Sequence, residues 1–335
     1  MFSQVLAFSD PYLCQSALQS VSQAELLPTA RGSFEVELTQ VAMSKLRMQR
    51  IQIGLPQVSS VTVESDRKAV AFLLEPSSPE LRHSGIDVTQ GDIFLYEDDV
   101  AHVRSLPNSQ IGTISLPADH FPTVCEAIIG RPLFEKPRHA AVRPNPALLS
   151  RLRELHRMIG RIAHDTPEIL ELSEVRRAFE EKLGHTLVRC LADGTGVETT
   201  IGERRHSEII ARFRDFLAAN SDGPLHLTEI CSALGVAERT LRASCEEHLG
   251  MGPIRFLTLR RMYLVHRELL KADPAKSTVT NIVTDQGFWE LGRFSVAYRT
   301  LFGETPSTTL RRLDRIEPPA LSVAAMAQRH RGVLT

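Results

Sequence analysis

The 335-residue chain contains no Cys-x-x-Cys pair and no His-x-His segment, and no stretch nears the roughly eighteen apolar residues of a membrane span. Its five cysteines, Cys14, Cys125, Cys190, Cys231 and Cys245, are odd in number and widely spaced. They read as reduced thiols, with Cys231 and Cys245 on the inward faces of expected helices. Residues 1–10 lack the basic residues and long apolar run of a signal peptide. These absences predict a cytoplasmic chain with no membrane segment. Net charge is scarce too: 39 Lys and Arg face 40 Asp and Glu.

The near-neutral sum hides a division. Residues 1–203 hold 20 basic against 26 acidic side chains, whereas residues 204–315 hold 17 against 13. A basic segment behind an acidic one suits a nucleic-acid reader attached to a separate domain, although the field of the whole molecule steers weakly. The length also fits two domains, each able to bury a core.

The first half reads mainly as strands. Ser9-Asp10-Pro11 opens a short amphipathic helix to about Val21. Alternating apolar residues then mark strands at Phe34, Val36, Leu38 and Val41, at Val58, Val61 and Val63, and at Val70, Phe72 and Leu74. Ile86-Asp87-Val88 and Ile93 to Tyr96 read as a hairpin around Gln90-Gly91-Asp92, and Ile111 to Leu116 adds another strand. The resulting antiparallel sheet or barrel resembles a cupin-like sensor half.

Metal-binding cupins carry Gly-x5-Pro-x-Gly-x2-His, and Gly91 to His102 keeps that outer spacing with Glu97 and Asp99 in the Pro and Gly places. One histidine cannot supply three converging ligands, so neither metal nor cofactor is expected. The run Glu97-Asp98-Asp99 reads as a solvated loop, since it lacks the spacing of a calcium loop. Arg82, His83, His102 and Arg104 are candidates to fix an anionic effector, with surface salt links as the plainer alternative.

Two helices are expected at about 147–184. Leu148, Leu152, Leu155, Ile159 and Ile162 line the first; Thr166-Pro167-Glu168 starts the second, lined by Ile169, Leu172, Val175, Phe179 and Leu183. They either zip two subunits together or cover their own sheet. Asp193-Gly194-Thr195-Gly196 to Gly202 then reads as a linker.

Beyond the linker a pattern is written twice. Leu227, Thr228, Ile230 and Gly235 recur as Val279, Thr280, Ile282 and Gly287 at a shift of 52, and Cys245, Leu249, Gly250 and Pro253 recur as Tyr298, Phe302, Gly303 and Pro306 at 53. Each copy reads as a helix-turn-helix, the first over about 227–249 and the second over about 279–302. In the first, Thr228 caps a helix, Gly235 makes the turn, and a second helix from about Glu238 turns Leu241, Cys245 and Leu249 inward and Arg239, Thr240 and Arg242 outward. Ile209, Phe213, Phe216 and Leu217 supply a third helix. Pro253 opens a joining helix to Lys271, about 28 Å long at 1.5 Å per residue, near the roughly 34 Å between successive major-groove faces.

These motifs resemble the AraC/XylS family of bacterial transcription regulators over about a hundred residues, Ser207 to Arg312. The resemblance is carried by the paired motifs, Gly250-x2-Pro253, Arg261-Met262, Gly287-Phe288, Phe294-x3-Tyr298 and Phe302-Gly303-x2-Pro306. It implies that Arg239, Arg242 and Ala243, and Leu291, Gly292, Arg293 and Val296, face base edges; Arg299, Ser295 and Thr280 are then read as holding phosphate, with Thr228 a further DNA-contact candidate. It further implies duplex DNA and RNA polymerase as partners, a homodimer, and an unidentified small-molecule effector of an activator. Cys245, Ala237 and Gly292 depart from the family's aromatic, Ser and polar residue, so the second reading face is unusually apolar.

The expected layout is therefore α+β: an antiparallel cupin-like sensing and dimerising domain over 1–192, with two C-terminal helices of its own. A linker over 193–206, an all-α double helix-turn-helix domain over 207–314, and a flexible tail over 315–335 follow. An architectural DNA-binding protein is the alternative. An enzyme is disfavoured, because no nucleophile, base and orienting group can be paired from the sequence, and no catalytic residue is assigned.

Overall fold

The computed structural model describes residues 3–18, 22–96, 100–131, 133, 141–197, 200–220 and 225–312. The acidic run 97–99 and the tail 315–335 lie outside the described residues. Strand β1 (Ser3–Phe8), helix α1 (Pro11–Leu18) and strand β2 (Ser22–Pro28) come first. The strands β3 (Val36–Ala42), β4 (Arg47–Ile53), β5 (Gln57–Val63), β6 (Arg67–Leu73), β7 (Leu81–His83), β8 (Ile86–Val88), β9 (Ile93–Tyr96), β10 (Ala101–Ser105) and β11 (Ser109–Pro117) follow. Helix α2 (His120–Ile129), strand β12 (Ala141–Arg143), helices α3 (Pro146–Asp165) and α4 (Ser173–Ala192) and strand β13 (Thr195–Val197) close the β-rich half. Then come only helices: α5 (Ile201–Ala219), α6 (Leu227–Leu234), α7 (Glu238–Leu249), α8 (Pro253–Lys271), α9 (Val279–Asp285), α10 (Leu291–Phe302) and α11 (Pro306–Leu310).

The strands form two antiparallel sheets, one of order β1-β3-β4-β11-β6-β9-β12-β13 and one of order β2-β5-β10-β7-β8. Their facing sides share a core of Ala71, Leu73, Leu81, Val88, Phe94, Val103 and Ile111. The outer side of the larger sheet, through Met48, Val70, Phe72 and Ile114, is covered by α3 and α4. Asn145 caps α3 by accepting from Ala147 N at 2.9 Å, with Pro146 at its first position, and Leu149, Leu152, Leu155 and Ile159 are buried along it. Both helices therefore cover their own sheet.

Several expectations need correction. The anticipated hairpin does not form, because β8 pairs with β7 in the smaller sheet while β9 pairs with β6 and β12 in the larger one. Buried Asp92 makes the crossing: it accepts from Thr89 N at 3.0 Å and from Arg143 Nε at 2.8 Å, pinning the turn to β12. The described part of 193–206 is not irregular. It contains β13, paired with β12, and the start of α5, where Thr200 and Glu203 form a capping box. A 3-10 turn over Pro167–Glu171 precedes α4, and the buried face of α4 is Leu183, Leu187, Val188 and Leu191, leaving Ile169 and Leu172 exposed. Strand β4 has no apolar alternation to mark it in the sequence, because Gln49, Arg50 and Gln52 interrupt Met48, Ile51 and Ile53; Met48, Gln49 and Ile53 are its buried residues.

Burial pushes His83, His156 and His248 from the ordinary 6.5 down to about 4. The folded chain keeps them neutral, and unfolding lets them take up protons. Stability is thus fully present above about 6.5 and falls as pH drops from there to about 4. Melting temperature measured against pH should decline across that window and stay flat just above it; a flat profile throughout would contradict the assignment.

Candidate nucleic-acid interface

Helices α5, α6 and α7 close on Ile210, Phe213, Ile230, Leu241, Cys245 and Leu249, joined by Phe256 and Leu257 from the first turns of α8. The far end of α8 contributes Met262, Val265 and Leu269 to a second core with Val283, Phe294 and Tyr298. Gly235 and Gly287 turn at φ +63° and +74°, a region favouring glycine, so the chain reverses within a few residues after α6 and α9. Arg261 stacks 5.0 Å over the Phe288 ring and fastens the second turn to α8. Burial raises the Cys245 thiol to about 12, that of a packing group rather than a reactive one.

The assembly leaves the outer faces of α7 and α10 free. Arg239, Arg242 and Ala243 are exposed on α7, and Thr240 is half-buried. On α10, Leu291, Gly292, Arg293, Ser295, Val296 and Arg299 are all exposed. Thr228 and Thr280 are exposed in the first turns of α6 and α9. Thr228 is not the cap expected of it; His226 occupies that place with Glu229, and Thr278 caps α9 by accepting from Asn281 N. Arg242 donates to Glu238 at 3.0 Å and Arg293 to Glu290 at 2.7 Å, while Arg239 has no ion pair among the described residues.

Three of the four candidate effector residues share one face and the fourth does not. Register puts Arg82, His102 and Arg104 on the side of the smaller sheet turned toward the first helix-turn-helix, with Val58 and Leu27, whose side chains enter that motif's core. Arg82 pairs with Glu247 of α7 at 3.3 Å, and Glu247 also meets His206 at 2.5 Å. His83 points the other way, between the sheets, its ring 4.5 Å from Phe94. A different cavity lies within the sheets, of about 70 Å³, with Arg47, Gln49, Arg67, Tyr96 and Ser115 among apolar Ala24, Ile51, Val61 and Ala69. Apolar alternation does not reveal it, because β4, which supplies Arg47, Gln49 and Ile51, lacks that pattern.

A second contact between the halves was equally hidden. Asp10 accepts from Tyr12 N and Leu13 N at the start of α1, and its other oxygen lies 2.9 Å from His266 Nε2 on α8. His266 Nδ1 lies 2.6 Å from the Tyr298 hydroxyl of α10, itself 2.9 Å from Thr309. Burial alone would raise the Asp10 carboxyl, but the bonds and charge from His266 and the two amides hold it below its ordinary range. No short-range signal links residues 256 positions apart.

Two helix-turn-helix units on one joining helix, each presenting an exposed arginine-bearing second helix, define a double helix-turn-helix DNA-binding protein. A family model described as a helix-turn-helix domain matches residues 230–312, and the probable thc operon regulatory protein of Rhodococcus erythropolis is 38% identical over 97 residues, 29% of either chain. Over its double helix-turn-helix half the chain is similar to transcription regulators of the AraC/XylS type. XylDLEGF operon transcriptional activator 3 of Pseudomonas putida is 22% identical over 317 residues, covering 92% of both chains, and activator 1 is 24% identical over 223 residues, 66% of this chain and 64% of that one. The alignments thus span well under two thirds of the first relative and slightly under two thirds of activator 1. Among solved structures, the AraC-like transcriptional activator CuxR is 14% identical with a TM-score of 0.40, over 84% of this chain and 99% of that one. ToxT of Vibrio cholerae is 11% identical with a TM-score of 0.31, over 89% of this chain and all of that one.

His266→Ala should leave Asp10 buried without its partner and lower stability by about 3–5 kcal/mol. Urea unfolding is expected to shift to a lower midpoint and to separate into two steps; an unchanged single transition would show that this contact does not join the halves.

Proposed function

We propose that the protein is an effector-responsive transcription activator that lays α7 and α10 in two successive major-groove segments of specific duplex DNA. The reading is carried by one observation: both exposed faces extend from cores built on opposite ends of the 19-residue helix α8. Arg239, which starts unpaired, reads a guanine edge, with Arg242 and Ala243 beside it. On α10, Arg293 hydrogen-bonds a base while Leu291 and Val296 meet thymine methyls across the gap at Gly292. Ser295, Arg299, Thr228 and Thr280 serve phosphates.

The direction of regulation is drawn from the relatives described as operon transcriptional activators, and RNA polymerase is the partner that direction requires. A homodimer would present two such helix pairs to repeated half-sites. For the effector, the cavity between the sheets supports a small apolar molecule ending in a carboxylate. Arg67 lies at its polar end, held by Ser115 and by Lys45 O, and apolar strand residues form its walls. The smaller sheet, packed on the first helix-turn-helix, connects that cavity to the reading half.

Selection of genomic fragments by the full-length chain, followed by footprinting, tests the DNA reading. Protection of two adjacent major grooves per subunit is expected; uniform salt-sensitive binding with no enriched sequence would return the architectural alternative. Arg239→Ala should lower affinity by about 1–3 kcal/mol and relax preference at one base, while Arg299→Ala should weaken all sequences alike and reduce the salt slope by about 1. An apolar carboxylate that occupies the cavity should raise the melting temperature of the unaltered chain but not of Arg67→Gln. A carboxylate panel with no shift would remove the effector assignment.

A further inference from the structure

The two turns of the DNA-reading half differ in length by one residue. After Gly235 and Gly287 the next amides do the same work: Val236 N donates to Cys231 O at 3.1 Å, and Phe288 N to Val283 O at 3.2 Å. The carbonyls that open the second helices also correspond, Ala237 O accepting from Leu241 N at 3.1 Å and Glu290 O from Phe294 N at 2.9 Å. Between these matched points the first turn runs directly from Val236 to Ala237, whereas the second inserts Trp289. This insertion lengthens the repeat shift from 52 to 53 residues.

Trp289 is the only tryptophan in the chain and is 75% exposed. The core does not use it. Phe288, one residue earlier, supplies the apolar anchor of the turn, its ring 4.9 Å from Phe294 and beneath Arg261. Leu291 and Val296, 37% and 69% exposed, continue the apolar surface along α10. Arg293 stands among them, held by Glu290 at 2.7 Å in an exposed pair, so the surface that covers this patch has apolar edges and acceptors able to draw the arginine from the glutamate. A large aromatic left in water forgoes hydrophobic stabilisation that a partner recovers by covering it, and an indole N–H wants an acceptor. The major groove meets both needs with thymine methyls, sugars and phosphate oxygens.

We propose that Trp289 is a DNA-contact residue, its ring lying against sugars and thymine methyls at the rim of the groove that α10 enters and its indole N–H donating to a phosphate oxygen. The inference rests on the DNA-reading function proposed above and adds that the second motif's preference for thymine-rich sequence is set partly from its turn.

Because there is one tryptophan, its emission reports this position alone. The full-length chain is titrated with a duplex it has enriched from genomic fragments, and complex formation is followed separately by electrophoretic shift, which tests the reading itself. Emission should move to shorter wavelength in step with the shifted complex, and acrylamide should quench the bound protein less than the free one. Trp289→Ala should weaken binding about tenfold with an unchanged salt slope, and Trp289→Phe should restore most of the loss. Equal melting temperatures would show that both variants fold. A shifted complex with unchanged emission and quenching overturns the inference alone, as does Trp289→Ala binding like the unaltered chain; a loss of transcription in that variant would then place the ring against RNA polymerase. Failure to shift any duplex removes the reading and the inference together.

Discussion

Helix α8 is the constraint on which the DNA-reading half depends. Phe256 and Leu257 near its start belong to the first core, and Met262, Val265 and Leu269 farther along belong to the second. Neither motif buries its apolar side without it. A single α-helix does not stretch or twist appreciably, so one element that completes two cores also fixes the distance and rotation between them. Arg261 and His266 strengthen this by stacking on Phe288 and Phe302, which ties each end of the second motif to the same helix.

The β-rich half is joined to that unit at two places of different character. Along the smaller sheet the contact is broad, with Leu27 and Val58 in an apolar core and Arg82 paired to Glu247 at its edge. At the far end it runs through α1, where Asp10 both caps the helix and receives His266 and where Lys271 lies 5.2 Å over the Tyr12 ring. A displacement of β1 or α1 therefore reaches α10 through Asp10, His266 and Tyr298, whereas a change inside the smaller sheet reaches α7 directly.

What could be read from the sequence follows from how locally each feature is specified. Pro253 and Asp273-Pro274 bound α8 where it is found, and the paired glycines place both turns, because caps and turn residues act within a few positions. The strands were legible where apolar residues alternate, as in β3 and β6, and illegible in β4, where polar Gln49 is buried beside Met48 and breaks the apolar pattern. The turn at Gln90-Gly91-Asp92 has hairpin chemistry but carries the chain between sheets, and only the pairing of β9 with β6 and β12 reveals that. The exposed faces of α7 and α10 were legible because they are what remains once the buried positions are taken out. The facing of the candidate effector residues was not legible, because a basic side chain on a strand does not say which face of which sheet it joins.

The ion pairs Glu238–Arg242 and Glu290–Arg293 bear on how such a protein searches a chromosome. Each is an exposed contact within one helix, contributing only about 0.2–0.5 kcal/mol. Under the proposed reading of DNA, these two arginines would stay folded back over unmatched sequence, and a correctly placed guanine, accepting two hydrogen bonds, would draw the arginine away at almost no penalty. The glutamates would then act as a gate on residence time, shortening pauses at wrong sites while scarcely weakening the right one.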